Sequence, residues 1–209
     1  MPAAPQTPAQ DALRPTEIHV WVVPLDDPDK RRRRALAQRA QLALLAAYLG
    51  RDPASLSITR QANGKPRLSD GALEFNLSHS AQLALVAVSG GPAVGVDVQA
   101  AHRTTHAPWF AQRICTAREL RALGEGPPDP DLLLRLWVRK EAVIKARGEG
   151  SYVSVGEIDV QDDRLPDGLW CVDLPLPEHQ GYRAALAARW VPGLTVSMRS
   201  FNPEADPRR

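Results

Sequence analysis

Strand-length apolar runs recur along almost the whole of this chain, and only a few segments between them carry helical periodicity, which implies an α+β fold. Residues 18–23 form a β-rich run closed by Pro24, and Asp29 then precedes a long helical segment that ends at Gly50. Residues 56–59, 83–88 and 94–98 read as strands, with 75–77 a shorter extended piece. Asn63-Gly64 and Gly90-Gly91-Pro92 supply turns between them. Beyond Gln99, helical patterns at 108–115, 117–123 and 132–147 precede strand candidates at 155–160, 169–173, 182–187 and 194–198. Each half thus combines helices with a mainly antiparallel sheet, and the join is expected near residues 99–105. The expected division is an N-terminal half over 16–100 and a C-terminal half over 101–202. Residues 1–15 and 203–209, polar and rich in proline, are expected to be poorly ordered.

The 209 residues, 44% hydrophobic and 24% charged, suffice for a real core. The 26 basic side chains face 24 acidic ones, so a formal charge of +2 provides no whole-chain field for nucleic acid or an anionic membrane. Cys115 and Cys171 fit no metal-ligand spacing or disulfide framework, which suits a reduced, cytoplasmic setting. The N-terminal residues lack the basic start and apolar segment of a signal peptide. The apolar stretch near residues 42–49 is far short of the roughly 20 residues that cross a bilayer, so the expectation is a soluble protein with no membrane partner.

Four elements could carry chemistry. In Val94-Gly95-Val96-Asp97-Val98-Gln99 the valines alternate with the rest, so a strand would place Asp97 and Gln99 on one face. Paired oxygen donors of this kind suit magnesium, although an exposed strand face also carries such residues. In 132–147, Leu134, Trp137, Val138 and Ile144 mark an apolar stripe that contains Glu141. A carboxylate there needs a partner. It is either half of a structural pair with Lys145, four residues on, or a metal ligand or base.

Phe75-Asn76-Leu77-Ser78-His79-Ser80 groups hydroxyls around a histidine after a short apolar strand, and such donors could hold phosphate oxygens. No G-x-S-x-G surrounds either serine, so a hydrolase nucleophile has little support. Asn63-Gly64-Lys65-Pro66 projects one lysine from a stiff turn. Arg31 to Arg34, with Arg39 beyond, sweep around the start of a helix, so that only one or two could hold a phosphate.

In order and spacing, the Gly-Lys-Pro turn, Phe-Asn-Leu-Ser-His-Ser, Gly-Val-Asp-Val and Trp-Val-Arg-Lys-Glu-Ala-Val-Ile-Lys resemble the Sfp-like 4′-phosphopantetheinyl transferases, most specifically in W-x-x-K-E-x-x-x-K from Trp137 to Lys145. The resemblance spans residues 18 to 200 and is strong at the motifs. It implies a pseudodimer of two similar α+β halves with coenzyme A and magnesium in the cleft between them. It implies that Asp97 and Glu141 are magnesium ligands, with Gln99 where many members have glutamate. It further implies that Gly64, Lys65 and Pro66 line the coenzyme A site and that Ser78, His79 and Lys140 contact its phosphates. Lys145 would assist beside Glu141, and Arg34 and Arg39 are candidates for the 3′-phosphate.

The implied reaction is attack by a carrier-protein serine on the β-phosphate of coenzyme A, with Glu141 as base, Lys145 fixing it and His79 as a cationic donor. A monomer and an acyl or peptidyl carrier protein as partner are expected. Two rivals are a nucleic-acid-binding module using Arg31 to Arg39, disfavoured by the absence of interleaved aromatics, and an inactive coenzyme A-binding relative, for which Gln99 is the only hint.

Overall fold

The computed structural model describes residues 13–103, 108–149 and 154–203. Most of the sequence expected to be poorly ordered, at 1–12 and 204–209, lies outside the described residues. The order of elements is β1 (Glu17–Pro24), α1 (Lys30–Leu49), β2 (Ile58–Arg60), β3 (Pro66–Leu68), β4 (Glu74–Ser80), β5 (Leu83–Ser89), β6 (Val94–Ala100), α2 (Pro108–Ile114), α3 (Ala117–Leu123), α4 (Pro130–Arg147), β7 (Leu169–Asp173), β8 (Tyr182–Arg189) and β9 (Thr195–Ser200). The α+β expectation holds.

Both long helices have the ends that their sequences announce. The Asp29 carboxylate accepts the Arg31 and Arg32 amides at the start of α1, and Gly50, at φ 60°, closes it in the left-handed conformation. Asp129 and Pro130 open α4, and Gly148, at φ 72°, ends it.

The strands form a four-stranded sheet in the order β4-β5-β1-β9, a three-stranded sheet in the order β6-β8-β7, and the small β2-β3 hairpin. Alternation along each strand separates three cores. Trp21, Val23, Ala84, Val86 and Val88 meet the buried α1 side chains Ala37, Ala40, Leu44 and Leu45. The opposite face of the same sheet, with Ile18, Val20, Leu83 and Leu85, packs against Val94, Val96, Val98, Ala184 and Leu186 of the second sheet. The far face of the second sheet, through Ala185 and Ala187, receives Val138, Ala142, Val143 and Ala146 of α4. The layers therefore run α1, first sheet, second sheet, α4.

A cut between residues 100 and 101 does not separate the two sheets. β6, from the expected N-terminal half, pairs with β8, and β9, from the expected C-terminal half, lies parallel to β1. The reason is β1 itself: its residues from Ile18 to Trp21 are all buried, as in a central strand, and such a strand needs a neighbour on each edge. β5 supplies one and β9 the other.

Residues 155–160, expected as a strand, instead contain a 3-10 turn over Val155–Glu157. Their backbone groups find partners without a neighbouring strand: the Val155 and Ile158 carbonyls accept from Lys140, and the Val160 amide donates to Glu119. The expected strand at 56–59 shortens to Ile58–Arg60, because a 3-10 turn capped by Asp52 occupies Pro53–Ser55. No described helix is long and apolar enough to cross a membrane.

Candidate functional site

Gly95 brings the site together. A Cβ on this residue would lie 2.1 Å from the Ala142 carbonyl oxygen and 2.3 Å from the Ala146 amide nitrogen, so α4 can cross β6 this closely only over a glycine. With the valines of β6 turned to the inter-sheet core, Gly95, Asp97 and Gln99 face the helix side, as the alternation predicts. The short crossing sets Glu141 and Lys145 of α4 beside Asp97.

Asp97 is 1% exposed. Its Oδ1 accepts the Ser78 hydroxyl at 2.6 Å and the Lys145 ammonium at 2.6 Å, while its buried Oδ2 has no hydrogen-bond partner among the described residues. An orphaned carboxylate oxygen is costly unless something cationic meets it. Glu141 is half-buried, and its carboxyl is pushed above the usual glutamate range, first by burial and then by the Asp97 charge, with Lys145 pulling the other way. Of the two readings left open for Glu141, the structural pair with Lys145 is not the one formed among the described residues: the Lys145 salt bridge goes to Asp97.

The Gln99 carbonyl oxygen accepts the Ser80 hydroxyl at 3.2 Å. Among the described residues no cluster of three His, Cys, Asp or Glu side chains is positioned for a metal. A donor set of two carboxylates and one amide nevertheless fits a hard cation that fills its remaining positions with water or phosphate oxygens. Asp97 Oδ2 is the atom that most directly supports that fit.

Two cavities adjoin this wall. One, of about 360 Å³, is lined by Gly64, Lys65, Pro66, Asn76, Leu77, Lys145 and Gly148 among others. The other, of about 600 Å³, includes Arg34, Gln38, Arg60, Asn76, Leu77 and His79 in its lining and no carboxylate. They share Pro66, Asn76 and Leu77, so a single extended ligand could run from the cationic cavity to Lys145. Residues 93–187, which contain Asp97, Glu141 and Lys145, match the family model described as the 4′-phosphopantetheinyl transferase superfamily. Over 64% of this chain and 70% of the other, it is 32% identical to the 4′-phosphopantetheinyl transferase HetI of a Nostoc species.

The chain belongs to the 4′-phosphopantetheinyl transferase superfamily.

Other members show the same level of likeness. A putative 4′-phosphopantetheinyl transferase of a Synechocystis species is 30% identical over 77% of this chain and 67% of its own length. The Escherichia coli K12 transferase AcpT is 33% identical over 62% of this chain and 64% of its own.

Within this superfamily member, several residues singled out from the sequence have other employment. Lys140 is fully buried, paired to Glu119 at 2.6 Å, and donates to the Val155 and Ile158 carbonyls. It fastens α3, α4 and the 155–158 segment together. The Lys65 ammonium is 3.1 Å from the Val94 carbonyl oxygen and 3.4 Å from that of Ala146, with Glu74 at 3.9 Å. Burial lowers its pKa more than Glu74 raises it. It ties the β2-β3 hairpin to β6 and α4 while its stem lines the smaller cavity. Gly64, at φ 86°, closes the turn that holds it.

Ser78 and His79 part company, because neighbours on a strand face opposite ways. Ser78 points at Asp97, while His79 lines the larger cavity with Arg34. Arg39, five residues after Arg34, lines a different cavity with Arg51 and Phe201, so the two arginines do not converge. Arg60 and Asn76 escaped the sequence reading. Asn76, Ser78 and Ser80 recur at every second position of β4, and that period was the available signal.

Proposed function

We propose that this chain transfers 4′-phosphopantetheine from coenzyme A to a serine hydroxyl of an acyl or peptidyl carrier protein. The buried Oδ2 of Asp97, without a hydrogen-bond partner among the described residues and set beside the Glu141 carboxyl, carries this reading. Asp97 and Glu141, with the Gln99 amide oxygen, would hold magnesium. Bound there, magnesium would offset the charge of the pyrophosphate and of its leaving half.

The nucleotide end of coenzyme A fits the larger cavity, where Arg34, Arg60 and His79 offer donors to phosphate oxygens. The pyrophosphate then lies at the smaller one, beside Gly148. The carrier serine oxygen attacks the β-phosphorus, and the bond from that phosphorus to the bridging oxygen of the pyrophosphate breaks. Glu141 accepts the serine proton. The products are a serine phosphopantetheine diester and adenosine 3′,5′-bisphosphate.

This reading includes the holo-acyl-carrier-protein synthase activity of the Sfp-like type, an arrangement of the two sheets as a pseudodimer, and a cytoplasmic monomer. It is supported by the layering of the two sheets, whose facing strands border the site. Intact-mass analysis of an apo carrier protein incubated with this chain, coenzyme A and magnesium tests it. A phosphopantetheine mass increment that chelator abolishes is expected. Coenzyme A binding without any adduct across acyl and peptidyl carriers would instead identify an inactive relative.

A further inference from the structure

β4 ends one sheet and β6 ends the other, and among the described residues each pairs through its backbone on one edge alone. The amides of Val96, Val98 and Ala100 on the free edge of β6 are met by side chains from β4. Asn76 Oδ1 accepts from Val96 at 2.9 Å, Ser78 Oγ from Val98 at 3.3 Å and Ser80 Oγ from Ala100 at 3.1 Å. Three short polar side chains at alternate positions thus replace a strand ladder, and they fix the register of β4 against the strand that carries Asp97.

The middle stitch is saturated. A serine hydroxyl has one proton to donate and two lone pairs. Ser78 donates its proton to Asp97 Oδ1 and accepts from the Val98 amide and from Lys145 at 3.2 Å. The Lys145 ammonium has three protons, and they go to Asp97 Oδ1, Ser78 Oγ and the Val96 carbonyl at 3.2 Å. Neither group has a donor left for a phosphate. Asp97 Oδ1 receives both, while Oδ2 receives no hydrogen bond from any described residue.

We infer that Ser78 and Lys145 are positioning residues that lock Asp97 Oδ1, so that Asp97 offers a divalent cation the single oxygen Oδ2. The inference rests on the magnesium reading of the site and reassigns Ser78 from a phosphate contact to a holder of the metal ligand. Groups that orient a ligating carboxylate through a hydrogen bond typically change metal affinity by roughly 10–100-fold when removed.

The test uses the full chain, without carrier protein. Titration with Mn²⁺, followed by the electron paramagnetic resonance signal of the free ion, should show affinity lowered about 10-fold or more in Ser78→Ala. Metal-free affinity for adenosine 3′,5′-bisphosphate should be unchanged. The reverse pattern, weaker nucleotide binding with Mn²⁺ affinity intact, overturns the inference and restores Ser78 as a phosphate contact. A wild-type measurement removes dependence on the variant folding. The infrared difference spectrum on adding Mn²⁺, with the Asp97 band identified by its loss in Asp97→Asn, should show a wider separation of the antisymmetric and symmetric carboxylate stretches, as one-oxygen ligation requires. A narrowed separation means that both oxygens bind, and it overturns the inference while leaving the magnesium reading in place. Absence of any Asp97-dependent Mn²⁺ binding overturns both.

Discussion

Lys145 Nζ of α4 lies 2.6 Å from Asp97 Oδ1 of β6, joining the outer helix of the second layer to the strand that borders the first. The pair is half open, with the Lys145 side chain 26% exposed and that of Asp97 buried, so the charge on Asp97 is held inside while that on Lys145 reaches the cavity wall. Everything proposed for the site depends on this contact and on the short helix-strand crossing that permits it.

Glu141→Gln is expected to lower carrier modification by roughly 10²–10⁴-fold, the usual range for loss of a general base. The same variant should melt higher than the wild type in chelator at neutral pH. The folded pKa of Glu141 lies above its ordinary value of 4.5, so its protonated form contributes stability at low pH, which is lost as pH rises through that folded value. Above it the ionised carboxylate costs stability, and glutamine removes that cost. Melting curves at neutral and acid pH should differ between the two proteins at the former and converge at the latter. Transfer within a few-fold of wild type would remove Glu141 as base.

Gly95→Ala should be disproportionately harmful for one added methyl group. The new carbon would meet backbone atoms of α4 at 2.1 and 2.3 Å, which cannot rotate away as a side chain could. Overpacking of this kind costs about 1–3 kcal/mol, and the displaced helix carries Glu141 and Lys145 away from Asp97. Urea unfolding and a modification assay on the same sample should show both losses; a stable variant with full activity would contradict the close crossing.

Lys140→Met separates the structural account of this residue from a phosphate contact. Leaving Glu119 charged without its cation in the core should cost about 3–5 kcal/mol in chemical denaturation. Adding Glu119→Gln removes the stranded charge, keeps an acceptor for the Val160 amide, and should recover much of that stability together with activity. A stable double variant whose KM for coenzyme A stays raised would show that Lys140 contacts substrate after all.

Acid should loosen the attachment of β9. His19 bridges the Tyr48 hydroxyl at 2.6 Å and Arg199 of β9 at 3.1 Å, and the Trp21 indole donates to the same hydroxyl at 2.9 Å. Arg199 can only donate to Nε2, which places the His19 proton on Nδ1, toward Tyr48. Burial, and then the Arg199 charge, lower the His19 pKa from 6.5 to about 4, while Glu17 opposes them. The contribution of neutral His19 is therefore present above pH 6.5 and lost as pH falls through about 4. The urea midpoint of the wild type should fall across that interval, and His19→Gln should flatten the decline. Parallel slopes in the two proteins would assign the acid sensitivity elsewhere.

Local patterns in the sequence determined the elements and most of the chemistry. Asp29, Gly50 and Gly148 mark the ends of helices because capping is a matter of a few neighbouring residues. The alternation in 94–99 separated the valines from Asp97 and Gln99 because strand geometry alone imposes it. Glu141 drew notice as a carboxylate inside an apolar stripe, and burial does raise its pKa. What lay beyond the sequence were the partners, since these are fixed by residues far apart in the chain. Lys145 reads as the helical neighbour of Glu141, yet it pairs with Asp97, 48 positions away, because Gly95 lets α4 settle onto β6. The family resemblance makes Lys140 a phosphate contact, yet it closes on Glu119 inside the core, and that pair supplies what a strand at 155–160 would have needed from a neighbour. β6 and β9 are placed by edge pairing, and no local pattern states which sheet an edge strand will join.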